Sequence, residues 1–176
     1  MAIRFCTDLM PFCIYLLLSG GYRVHERGGM QGGVVVSELT DVLALLRKMV
    51  SHCASVTGNR RLGTSIVHAA VKRHSRERVL TDPESLDAIL KDITETARRS
   101  PVLHPDESNS DFGASYGKLP FDARACLSLR NLFGFDFQRI GEILDMEAQE
   151  VEALHGSSMA TLADELTKAR TSPFLH

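Results

Sequence analysis

The sequence predicts an all-α protein made of two small helical units joined by a flexible linker. Three observations predict it. From Ser37 onward apolar residues recur at three- and four-residue steps, the spacing of one helix face. No segment alternates apolar and polar residues for long enough to make a strand; Val34 to Val36 is too short. Residues that start and stop helices fall at the ends of the periodic runs.

Residues 1–33 stand apart and are expected to be a disordered extension or an over-extended reading frame. The apolar run Leu9 to Leu18 (LMPFCIYLLL) is about half the roughly 20 residues of a membrane helix and is broken by Pro11. Asp8 abuts the run and SGGY offers no small-x-small cleavage site, which argues against secretion. HERGG ahead of Met30 is encodable by a purine-rich, ribosome-site-like stretch, so Met30 is the expected start.

The first helical unit is expected over 34–99. Leu39, Val42, Leu43, Leu46, Met49, Val50 and Cys53 form one stripe, which Thr57-Gly58-Asn59 stops. Leu62, Ile66, Val67, Ala70 and Val71 give a second helix, closed by a polar, mostly basic run through Arg78. Thr81 or Asp82 caps a third, because Pro83 lacks the amide that a first turn would leave without a partner. Its stripe is Leu86, Ile89, Leu90, Ile93 and Ala97.

Ser100 to Lys118 (SPVLHPDESNSDFGASYGK) has no apolar period and reads as the linker, 100–118. The second unit is expected over 119–170. Leu119-Pro120 opens a helix with Phe121, Ala125, Leu127, Leu129, Leu132 and Phe133, ended by Gly134. Asp136 caps the next, Phe137 to Leu144; after Asp145-Met146-Glu147 a last helix runs from Ala148 towards Lys168.

The composition, 44% hydrophobic and 24% charged over 176 residues, is that of an ordinary soluble globular chain. A net charge of -2 excludes a protein built mainly to neutralise phosphates, though local patches remain open. Cys6, Cys13, Cys53 and Cys126 are scattered without metal-ligand spacing, which predicts free buried thiols in a reducing cytoplasm and no disulfide framework. His52, His68 and His74 have no carboxylate or thiol at ligand spacing, so no metal is assigned. No Gly-rich phosphate loop, G-x-S-x-G elbow or H-E-x-x-H helix occurs; no catalytic residue, cofactor, small-molecule substrate or membrane partner is expected.

Phe135 to Leu162 (FDFQRIGEILDMEAQEVEALHGSSMATL) carries the apolar skeleton of a helix-turn-helix. Its charge is wrong for DNA. From Ile140 to Thr167 there is no Lys or Arg, while Glu142, Asp145, Glu147, Glu150, Glu152, Asp164 and Glu165 are acidic. Affinity for DNA comes largely from cations that displace counterions from phosphates, so a carboxylate-bearing helix loses that gain and adds repulsion.

The run from Leu119 to Leu154 (LPFDARACLSLRNLFGFDFQRIGEILDMEAQEVEAL) resembles the carboxy-terminal, promoter-reading domain of extracytoplasmic-function sigma factors. The likeness lies in the Leu-Pro opening, the aliphatic helix, the Gly-aromatic joint and the I-x-E-I-L helix before the turn. Leu45 to His74 is similar to the sigma-like half of the response regulators of the alphaproteobacterial general stress response. Those proteins sequester an anti-sigma factor and carry a receiver domain, for which this chain has no length left.

The resemblance also exposes departures. Where the family's DNA readers place Lys and Arg, this chain has Glu152, Leu154, Ser157 and Met159. Where sigma factors capture unstacked bases on aromatic side chains, Arg23 to Asp111 holds no Phe, Tyr or Trp. The acidic stretch associated with gripping polymerase is replaced by RRLGTSIVHAA.

The resemblance therefore implies a cytoplasmic transcription regulator that mimics a sigma factor. It would bind an anti-sigma factor and free the true sigma factor in a stress response. Candidate partner contacts are Val151, Leu154, Met159 and Leu162, which would otherwise be core, with Arg73 and Arg76 from the basic run Arg60, Arg61, Lys72, Arg73, Arg76 and Arg78. That run also reads as a solvated face. The alternative is a divergent extracytoplasmic-function sigma factor that binds core RNA polymerase and promoter DNA, with Gln149, His155, Ser157 and Ser158 as the DNA-reading candidates.

Overall fold

The computed structural model describes residues 34–74, 82–100 and 115–171, with side chains from Thr40 to Lys168. The expectations for residues 1–33, Arg76, Arg78, Cys6 and Cys13, and for most of the linker, lie outside the described residues. Within them the fold is all-α: α1 (Val34–Thr57), α2 (Arg60–His74), α3 (Pro83–Arg99), α4 (Phe121–Phe133), α5 (Phe137–Leu144) and α6 (Ala148–Thr171). None of the described helices is long and apolar enough to cross a membrane.

Local chemistry sets the ends. α1 stops at Gly58, whose φ of 70° lies in the left-handed region, and the Gly58 N–H donates to the Ala54 carbonyl at 2.9 Å. Asn59 then caps α2, its Oδ1 accepting from the Leu62 N–H at 2.9 Å. Asp82 caps α3 by accepting from the Ser85 N–H at 3.0 Å, with Pro83 in the first turn. α4 ends at Gly134, and Asp136 caps α5 through the Arg139 N–H at 2.8 Å. Val34 to Val36, too short for a strand, is the first turn of α1.

The helices before and after residues 101–114 share one core. α1 packs on α4, and α3 on α5. Leu46, Met49, Val67, Ile89, Leu90 and Ile93 from the first group are buried in one cluster with Ala125, Cys126, Leu129, Ile140 and Val151 from the second. Each of the larger side chains contributes about 1.5–3 kcal/mol of transfer free energy. A smaller cluster joins Leu119, Ala123, Leu127 and Leu162. Residues 115–118, assigned to the linker from sequence, are helical through Gly117 and packed: Ser115 is buried, as is Leu119 after them, and the Tyr116 hydroxyl donates to the Arg124 carbonyl at 2.7 Å.

Charged pairs hold the same seam. The Arg139 guanidinium donates to both Asp87 carboxylate oxygens at 2.8–3.0 Å and lies 3.9 Å from the centre of the Phe135 ring. Arg98 pairs with Asp122, and Lys91 approaches Asp145 at 3.7 Å. At its centre His52 of α1 is fully buried, with Nδ1 2.5 Å from the Ser128 hydroxyl of α4 and Nε2 3.1 Å from the Thr94 hydroxyl of α3. Cys53 and Cys126 are buried free thiols, pushed up to about 12 and about 11 by burial.

Candidate partner-binding surface

α5, the turn and α6 form the helix-turn-helix. Gly141 lets the turn close on α5: a Cβ there would stand 2.5 Å from the Met146 carbonyl oxygen. Asp145 takes the left-handed conformation, φ 63°, and the Met146 N–H returns to the Gly141 carbonyl at 3.0 Å. α6 then starts with half a capping box, the Glu150 carboxylate accepting from the Glu147 N–H at 3.1 Å. Carboxylates at this end also suit the helix dipole. Glu150 is thus partly a helix-start residue, legible in the Glu-x-x-Glu spacing ahead of an apolar position.

The last helix has a clear inside and outside. Val151, Ser158 and Leu162 are buried, Leu154 is half-buried between both clusters, and Gln149, Glu152, Ala153, Gly156 and Ala160 are exposed. Of the candidate partner contacts on α6, Val151 and Leu162 are core, because their spacing faces α4 and α5. They offer no surface. Met159, 48% exposed, is the large apolar side chain on the outside among the described residues. Arg73 stands on α2 and is already tied to Asp92 by Nε at 3.0 Å and Nη2 at 2.8 Å, so it is not a free cation.

The DNA-reading candidates divide in the same way. Ser158 is buried and its hydroxyl donates to the Leu154 carbonyl at 2.6 Å, so it cannot meet a base. His155 is half-buried against the Phe137 ring, 5.5 Å between centres. Ser157 is exposed but donates to the Leu154 carbonyl at 3.0 Å, and Gln149 is exposed.

What the fold brings together on the outside is charge. Glu142, Glu147, Glu150 and Glu152 are all exposed, and among the described residues none makes an ion pair with Lys or Arg. Farther along α6 the carboxylates are neutralised: Lys118 pairs with Glu165 and Lys168 with Asp164, both at 2.6 Å. The basic residues beside the turn are engaged, and Lys91 of α3 reaches the Glu142 carbonyl at 3.5 Å and the Asp145 carboxylate at 3.7 Å. Arg130 donates to the Phe135 carbonyl at 2.6 Å and lies over the Phe137 ring, and Arg139 is held by Asp87. The turn and the start of α6 thus expose several carboxylates, with Lys91 beside Asp145, and uncharged small residues and Met159 lie beyond them.

In comparison with known proteins, the chain matches no family model and no curated relative.

Proposed function

We propose that the chain is a sigma-like transcription regulator that acts in the cytoplasm by protein-protein contact, offering the acidic helix-turn-helix to an anti-sigma factor and so freeing the sigma factor it holds. The observation that carries this reading is that Glu142, Glu147, Glu150 and Glu152 are exposed and, among the described residues, form no ion pair with Lys or Arg, on the element that in a sigma factor would face phosphates. Exposed carboxylates without counter-charges repel DNA and attract a basic protein segment. The absence of aromatic residues between Arg23 and Asp111 supports the same reading, since a promoter-melting unit would need them to stack bases.

Restoring the charge tests it. Gln149, Glu152 and Ser157 are exposed, so Gln149→Arg, Glu152→Lys and Ser157→Arg together place three cations outside without disturbing the core. Leu154 is left alone because it packs against both clusters. Three phosphate contacts should give a slope of log affinity against log salt of about -2.7 in the variant. The natural chain should give no measurable binding. Promoter-specific binding by the natural chain at physiological salt would instead make it a divergent sigma factor.

A further inference from the structure

The two groups of helices meet on a buried chain of polar groups. His52 of α1 stands at its centre, fully buried, with the Thr94 hydroxyl of α3 on Nε2 and the Ser128 hydroxyl of α4 on Nδ1. Ser128 also hydrogen-bonds with the Tyr116 phenol, whose own proton goes to the Arg124 carbonyl. The Phe133 ring of α4 closes the site edge-on, 6.4 Å between ring centres. Polar contact thus runs from α3 through α1 to α4, across the seam.

Hydrogen bonding permits a proton on this ring, but solvation does not. With Thr94 donating to the Leu90 carbonyl and Ser128 to the Ala125 carbonyl, both hydroxyl oxygens can accept from an imidazolium. The charge would still be buried without a counter-ion. Burial alone lowers the His52 pKa, and no charged side chain of α1, α2, α3 or α4 contributes. The titratable neighbours stay neutral in acid, because burial pushes Cys53 of α1 and Tyr116 up to about 12 and Cys126 of α4 up to about 11.

A cation at His52 reaches water most directly by parting α1 from α4, since Ser128 and Phe133 belong to α4 while α1 also packs on α2 and α3. The rim resists this only weakly. Its ion pairs, Arg139–Asp87, Arg98–Asp122 and Lys91–Asp145, are all partly exposed, and such pairs contribute little. On the far side, Leu119, Ala123, Leu127 and Leu162 keep a cluster of their own between α4 and α6.

We propose that protonation of His52 opens this seam, separating α4–α6 from α1–α3 while both groups stay helical, so that the docked arrangement responds to acid. Above pH 6.5 the ring is neutral whether docked or separated and exerts no bias. Below it the separated form takes up a proton that the docked form refuses, and the ratio of separated to docked chain rises about tenfold per pH unit down to about pH 4. The device does not depend on which partner the helix-turn-helix meets.

Phe133→Trp reports the opening, because the chain has no Trp of its own and Phe133 lies against His52. Its emission should shift to the red between pH 6.5 and 4 while far-UV circular dichroism keeps most of its helical signal. Adding His52→Leu should remove the shift, although every rim ion pair remains. If the Trp variant does not fold, small-angle scattering with circular dichroism takes its place: the radius of gyration of the natural chain should rise in acid, and that of His52→Leu should not. Loss of helix in step with the change, no change down to pH 4, or a change that survives His52→Leu would each overturn the switch.

Discussion

Taking the pH from 7 to 4 should cost the folded chain about 3 kcal/mol through His52 alone. Burial lowers the His52 pKa from 6.5 to about 4, so the folded state holds the imidazole neutral. Above pH 6.5 both folded and unfolded chains are neutral at this position and its contribution is fully present. Below 6.5 the unfolded chain takes up a proton that the folded chain refuses, and about 1.4 kcal/mol is lost per pH unit until the folded pKa is reached.

The hydrogen bonds at His52 make the matching substitution informative. The Ser128 hydroxyl can donate to the Ala125 carbonyl at 3.0 Å, and that of Thr94 to the Leu90 carbonyl at 2.8 Å. Replacing the ring with an apolar side chain of similar volume therefore leaves both hydroxyls with an acceptor. His52→Leu should change stability at pH 7 by no more than about 1.5 kcal/mol. It should also flatten the pH dependence between 6.5 and 4. Urea unfolding of both proteins across that range checks the point, and equal slopes would show that His52 is not the group responsible.

The second large effect belongs to the helix-turn-helix itself. At an ordinary helix position Gly→Ala stabilises by up to about 1 kcal/mol, and Gly156, exposed on α6 with nothing near its absent Cβ, should behave so. At Gly141 the new methyl would stand 2.5 Å from the Met146 carbonyl oxygen, a backbone atom of the turn that cannot swing aside. Gly141→Ala should therefore destabilise by about 1–3 kcal/mol despite its better helix propensity. Denaturant midpoints of the two variants should move in opposite directions. Parallel shifts would mean that the turn is looser than the structure has it.

The helix positions were legible because each boundary is a local event. Asp82, Asp136 and Gly134 cap or stop the helices beside them whatever the rest of the chain does. The docking of the two helical groups was not legible. It depends on α4 burying Ala123, Ala125, Cys126 and Ser128 as well as its leucines, and small residues leave no strong apolar stripe. His52 and Ser128 are 76 positions apart, and Asp87 and Arg139 are 52 apart, so neither pairing has a sequence signature.

At the candidate surface, the missing positive charge was readable directly, whereas the fate of individual α6 residues was not. Val151, Leu154, Met159 and Leu162 share one helical spacing, and only the position of α4 and α5 decides that Val151 and Leu162 are covered while Met159 is open. In the same way, Arg130 and Arg139 look like surface charge in sequence but serve the backbone and ring packing of the joint.

Recovery of the tagged full chain from its native cell, with its bound proteins identified by mass spectrometry, tests the proposed protein-contact role most directly. The expected result is an anti-sigma factor that is lost when Glu142, Glu147 and Glu152 are changed together to Gln, with the fold checked by circular dichroism. Recovery of core RNA polymerase in its place, undiminished by those changes, would contradict the account.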